Sequence, residues 1–289
     1  MRYSASSVLL VALTATASSA FQVSYHVTTP KTTATCTLPL YATTTTTTKD
    51  DETAAANPRF EGLALMLDDG TRKSHSVAQN SAFVTGFFKG LSTREAYREL
   101  ITSYYFVYQA MEGAFEKSDE TIVTALDDKE LRRLPALEQD MEFFYGENWK
   151  NQIKMSPSTK TYVDRVNEVA DSTPFLLVAH QYTRYLGDLF GGQMMSGMAQ
   201  RSLDLEKDKG VDFYNFKDIP SVKDFITDWY TRLNALDLDE DQKQTIVDEA
   251  NYVFDLNIGI LEELDGNPLK AVWSLAINTL QVKLGLKEA

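Results

Sequence analysis

Three histidines, one cysteine and a glycine cluster around an aspartate are the chemically distinctive residues of this 289-residue chain. His26, His75 and His180 are its only histidines, so a three-histidine metal centre would need all of them. A single cysteine, Cys36, excludes an internal disulfide, a Cys-rich zinc site and a Cys-ligated iron–sulfur cluster. Residues 177–195 read LVAHQYTRYLGDLFGGQMM, with apolar and aromatic residues at helical spacing. Gly187, Gly191 and Gly192 fall inside that stretch, and each glycine in a helix costs about 1 kcal/mol relative to alanine. The cluster is either a helix end running into a loop or a place where a flat ligand must approach the backbone. Asp188, inside it, suits a cap or an ion pair as readily as an acid catalyst. His75, between Ser74 and Ser76, reads on its own as a solvated helix residue. His180 lies eight residues before Asp188 and on roughly the same helix face.

The elements that must position these groups read as helices. Leu63, Leu65, Met66 and Leu67 open one segment, and Val77, Phe83, Val84, Phe87 and Phe88 follow on the next. Further helical periodicity covers 93–117, 128–145, 156–170, 174–200, 221–235, 239–264 and 267–284. Thr93 with Glu95 marks one start, and Asp239-Glu240-Asp241 places negative charge where the first turn of another favours it. Pro157, Pro174, Pro220 and Pro268 sit near segment starts, where a missing N–H matters least. Linkers are short and no internal repeat is visible, so one all-α domain is expected.

Composition narrows the function further. Hydrophobic residues at 43% and charged residues at 24% fit a soluble globular protein. With 28 basic against 41 acidic residues, the net charge of −13 disfavours nucleic acid and anionic lipid as partners. The charge is also uneven, because no acid precedes Asp50. Met1-Arg2, the apolar run Val8 to Leu13 and Ser18-Ser19-Ala20 resemble a signal peptide cleaved before Phe21. The Thr-rich stretch behind it, including Thr43 to Thr48, is poor in large apolar side chains and reads as a transit peptide or disordered linker. The whole is similar to bipartite leaders of algae with complex plastids, which implies the plastid stroma. The expected division is 1–20 signal peptide, 21–56 transit peptide or linker, and 57–289 the functional domain. Beyond residue 49 the chain carries all 41 acids and 25 bases, about −16 in all. No membrane anchor is expected, and the domain is read as a monomer.

The string LVAHQYTRYLGDLFGGQMM resembles the distal-helix signature of the haem oxygenases. GTRKSHSVAQNSAFV (70–84) resembles that family's proximal-helix motif. TSYYFVYQAME (102–112), WYTRLNALDL (229–238), VDEANYVFDLNIGILEELDG (247–266) and PLKAVWSLAINTL (268–280) follow in family order, so the resemblance spans essentially 60–285. It implies a helical fold with haem b, both substrate and cofactor, between a proximal and a glycine-kinked distal helix. It also implies His75 as proximal iron ligand, with His180 off the iron in a structural position. Gly187, Gly191 and Gly192 would line the distal face. Asp188 would order the water that delivers protons, Arg184 would brace that network, and Tyr182 would contact a haem propionate. The implied reaction converts haem, O2 and electrons from reduced ferredoxin to biliverdin IXα, CO and ferrous iron.

The sequence also departs from the family pattern. Asp68 stands where a Lys or Arg is usual seven residues before the proximal histidine. Ile226 and Tyr230 replace two later propionate-binding cations, and Phe190 replaces a small serine before the glycine pair. Arg72, Lys73, Lys223 or Arg232 are the candidates to compensate. These losses favour the second reading, a catalytically silent haem carrier on the same fold; a helical protein that binds no haem is the third. For acidic ferredoxin, a basic patch drawn from Arg72, Lys73, Arg132, Arg133 and Lys150 is expected.

Overall fold

The computed structural model of the chain describes residues 57–264 apart from Lys89, Leu91, Asp204 and the Gln193 side chain, together with 25–29 and 32–36. The chain forms two compact units, Met1–Ala54 and Ala55–Ala289. In the first, β1 (Tyr25–Thr29) pairs antiparallel with β2 (Thr32–Cys36), Tyr25 opposite Cys36 and Thr29 opposite Thr32. Composition alone reads this stretch as a linker, but the β-branched Val and Thr side chains that deny it a core also favour extended pairing. The expected helix over 267–284 and the PLKAVWSLAINTL motif lie outside the described residues.

The second unit is helical throughout its described residues. Its α-helices are α1 (Gly62–Gln79), α2 (Ala82–Phe88), α3 (Arg94–Lys117), α4 (Thr121–Thr124), α5 (Leu134–Tyr145), α6 (Pro157–Ser172), α7 (Leu177–His180), α8 (Gly187–Ser202), α9 (Val222–Asn234) and α10 (Glu240–Leu264). Side-chain caps set several of the starts. Thr93 accepts the Ala96 N–H at 3.1 Å, and Ser156 accepts that of Thr159 at 3.2 Å. Asp239 and Gln242 cap α10 reciprocally: Oδ1 of Asp239 accepts the Gln242 N–H at 2.8 Å, and Oε1 of Gln242 accepts the Asp239 N–H at 3.0 Å.

The segment expected over 128–145 begins later, because its cap comes from another helix. A 3-10 turn fills Lys129–Leu131, and the buried Glu112 carboxylate of α3 accepts the N–H of Arg133 at 2.6 Å and of Leu134 at 3.3 Å. Pro135, in the first turn, has no N–H to satisfy.

α3 is the central rod. Tyr97, Leu100, Ile101, Val107, Tyr108, Met111 and Phe115 are buried along it, and it packs against α5 and α6. α1 lies along α10, and Gly70 lets them close: a Cβ there would collide with Val247.

Glu249 on α10 ties that layer to α6 and α7. Its carboxylate accepts from Arg165 Nε at 3.0 Å and Nη2 at 2.5 Å, and from His180 Nε2 at 3.2 Å. Burial alone would raise the Glu249 pKa, but His180 and Arg165 hold it down at about 2. The carboxylate is therefore more acidic folded than unfolded, so its stabilisation is complete above pH 4.5 and lost as pH falls toward 2. Glu249→Ala is expected to lower unfolding free energy at pH 7 by about 3 kcal/mol, since it leaves Arg165 without its buried partner. Urea unfolding at pH 7 and pH 2.5 checks this: the difference from wild type should shrink at low pH, and an equal loss at both would refute the ion-pair origin.

Candidate active site

Two helical segments carry the residues singled out in the sequence, and Tyr182 of one approaches Thr71 of the other. On α1, Asp68, Thr71 and His75 follow at spacings of three and four, hence on one face. Thr71 is buried, its hydroxyl donating to the Leu67 carbonyl at 2.7 Å. His75, one turn further, is exposed, with its ring edge-on to Phe254 of α10 at 5.8 Å between centroids. Partial burial pushes its imidazole below the ordinary histidine value; Asp68 pulls it back up and Arg59 adds to the fall. A neutral imidazole is the form that ligates a metal.

The other segment is a composite helix over 177–202: α7, a π-helical turn at Gln181–Leu186, and α8. The irregularity expected from the glycines thus sits just before Gly187, where the widened turn turns successive side chains to different sides. Gln181, Thr183, Arg184, Tyr185 and Leu186 are buried, whereas Gly187 is exposed. A Cβ added to Gly187 or to Gly191, one turn on, would meet nothing within 4 Å. Together they form a backbone step bare of side chains. Gly192 serves another purpose, since its Cβ would press on the Tyr214 ring at 3.2 Å. Tyr214 is held there by Asp140, whose two oxygens accept the N–H groups of Asp212 and Phe213 at 2.8 Å each. Burial pushes the Asp140 carboxyl up to about 7 against those two hydrogen bonds.

Asp188, next to the step in sequence, is held in a polar knot. Arg184 donates from Nη2 to both its oxygens, at 3.1 and 2.9 Å, and the Tyr108 hydroxyl donates to Oδ2. The same guanidinium donates from Nη1 to Asn257 Oδ1 at 2.7 Å and lies 4.2 Å from the centre of the Tyr104 ring. Burial raises the Asp188 pKa, opposed by Arg184, Tyr108 and Arg133. The knot is an acid whose position is fixed and whose proton is held more tightly than in water. Tyr104, Tyr108 and Asn257 escaped the reading of the sequence. Their only signal was two tyrosines one turn apart on α3, facing the arginine.

The comparisons agree with this architecture. The family profile described as "Heme oxygenase" matches residues 61–263. "Heme oxygenase 1" of Synechocystis sp. is 45% identical over 219 residues, covering 75% of this chain and 91% of that protein. "Heme oxygenase" of the red alga Rhodella violacea is 40% identical over 220 residues, 76% of this chain and 94% of that protein. The chain belongs to the haem oxygenase family. The solved structure of heme oxygenase-1 from Synechocystis in complex with heme superposes with a TM-score of 0.69 at 44% identity, covering 76% of this chain and all of that one. Heme oxygenase-2 from the same cyanobacterium, in complex with heme and NO, gives 0.70 at 38% identity over 73% of this chain and 88% of that one.

Within that haem oxygenase frame, the remaining sequence candidates sort by burial. His180 is fully buried against Glu249 and Tyr162, away from any open surface. Tyr182 of the π turn approaches Thr71, Asp68 and Arg59. Arg232 does not compensate for the missing cations, because it is committed to Asp128 at 2.7 Å and Asp228 at 2.8 Å. Arg132 and Arg133 leave the expected docking patch. The first is paired with Asp127 at 2.7 Å, and the second is 4% exposed with its guanidinium on the carbonyls of Phe213 and Asn215. Arg72 and Lys73 stay exposed on α1, although Arg72 is paired with Asp69 and, at 3.5 Å, with Asp68, and Lys150 lies outside, beside Glu138.

Proposed function

We propose that this chain opens haem at the α-meso carbon with dioxygen and reduced ferredoxin, releasing biliverdin IXα, carbon monoxide and ferrous iron in a plastid. The observation that carries the reading is the bare step at Gly187 and Gly191 beside the paired acid Asp188, on a helix whose Tyr182 approaches Thr71 of α1, the helix that carries the exposed His75. An imidazole on one side and unobstructed backbone on the other are the surroundings an iron porphyrin's two faces require. Bound haem supplies the redox-active iron and the carbon skeleton that is oxidised.

The protein's own contribution is position and protons. His75 would hold the iron from α1. The glycine step would let backbone, rather than side chains, approach the porphyrin. Asp188, fixed by Arg184 and Tyr108, orients water toward the porphyrin and relays protons to it. Ferredoxin, itself acidic, would dock on Arg72 and Lys73 beside the His75 face despite the overall negative charge. Plastid residence rests on the leader composition and on the cyanobacterial and red algal relatives. Among the described residues no helix is long and apolar enough to cross a membrane.

Asp68, Ile226 and Tyr230 favour a second reading, a haem carrier on the same fold. A single-turnover spectrum separates the two. The purified protein with one equivalent of haem, ferredoxin, its reductase and NADPH in air should lose its Soret band as a broad red biliverdin absorbance grows. A Soret band that persists through reduction and aeration would establish the carrier.

A further inference from the structure

Haem carries two carboxylates, and the edge of the site that should receive them has an unusual charge. Asp68 lies on the His75 face of α1, and Ile226 and Tyr230 of α9 are buried beside it without a cation. Arg72, one turn along α1, reaches Asp68 Oδ2 at 3.5 Å but is held chiefly by Asp69; a second cation reaches this edge from a place the motifs never pointed to. Arg59 belongs to the 3-10 turn Pro58–Phe60 that precedes α1. Asn57 caps that turn by accepting the Arg59 N–H at 3.1 Å, and Asn234 of α9 donates to the Pro58 carbonyl at 2.7 Å. The turn is thereby fastened to both α1 and α9.

From this anchorage the guanidinium folds back over the edge. It donates to Asp68 Oδ1 from Nη2 at 2.6 Å and from Nε at 3.1 Å, and sits 6.0 Å from the centre of the Phe190 ring on α8. The phenols of Tyr182 and Tyr230 lie in the same electrostatic neighbourhood. Three separate helical segments, α1, the composite helix and α9, therefore converge on one arginine. Its side chain keeps 35% of its surface exposed, against 20% for Asp68.

We propose that Arg59, with the phenols of Tyr182 and Tyr230, forms the carboxylate-binding end of the site, and that Asp68 competes internally for the same guanidinium. The inference rests on haem as the ligand. It adds that a porphyrin carboxylate must displace or share the Asp68 contact, so affinity is set by an exchange of one carboxylate for another. Arg–carboxylate pairing is bidentate and charge-assisted in both states, so little net attraction remains for the incoming acid. The phenols add two neutral donors, which bind a carboxylate without repelling Arg59.

The test is a Soret titration of the purified full chain with ferric haem and with its dimethyl ester, in which both propionates are neutral. Asp68→Asn should tighten haem binding by about tenfold and leave the ester unchanged. Arg59→Ala should weaken haem binding by about tenfold, because it leaves the Asp68 carboxylate facing the incoming one, and should again spare the ester. Equal affinities of wild type and Arg59→Ala for haem would overturn the proposal. So would a parallel loss for haem and ester, which would mark Arg59 as a structural residue. Wild type that binds neither porphyrin would instead overturn the haem reading itself, and this proposal with it.

Discussion

His75→Ala is expected to abolish biliverdin formation while the fold stays intact, because on the proposed reading His75 would hold the iron. His75 is exposed on α1 and makes one aromatic contact, with Phe254, so truncating it uncovers little of the core. Changes to groups that merely orient a metal ligand already reduce activity or affinity by about 10- to 100-fold, so loss of the ligand itself should exceed that. The spectrum of the haem complex should shift away from imidazole ligation, and millimolar imidazole should enter the vacated space and restore turnover. The control is His180→Ala. His180 is wholly buried and bonded to Glu249, so its loss should lower thermal stability and leave the ligation spectrum as it was. Turnover by His75→Ala without added imidazole would pass the ligand role to another group.

The contrast between these two histidines shows how far the sequence could be read. Helical periodicity places both on helices, but burial separates them, and burial depends on what α6 and α10 bring from elsewhere in the chain. The start of α10 was legible to within a residue, because its cap, Asp239 with Gln242, is local. That of α5 was not, because it is set by Glu112 of α3, more than twenty residues away. The same distinction holds in the site. Gly187 and Gly191 announced themselves by their cost in a helix, while Gly192 gave the same signal for a different reason, the packing of Tyr214. Arg59 gave none. It precedes the first helical segment, and its position depends on Asn234 at the far end of α9, a contact that no spacing rule could supply.

Asp188→Ala is the variant that separates haem binding from haem cleavage. Asp188 is bonded to Arg184 and Tyr108 and has no proposed contact with the iron or the haem carboxylates, so haem affinity should stay within a few-fold of wild type. Biliverdin yield per haem consumed should fall by about 10²–10⁴, the usual worth of a positioned acid. A stability change must accompany it. Arg184 is 6% exposed and would lose its carboxylate, keeping the neutral partners Asn257 and Tyr104, which is expected to destabilise the fold by about 3 kcal/mol. Asp188→Asn answers the objection that damage to the knot, rather than loss of the acid, explains the result. An asparagine oxygen can still accept from Tyr108, so part of the stability should return, but the amide cannot give up and regain a proton at neutral pH. If catalysis follows the acid, Asn should be nearly as poor as Ala in yield while melting closer to wild type. If yield instead recovers in step with melting temperature, Asp188 is a brace for Arg184, and the proton must reach the glycine step by another route.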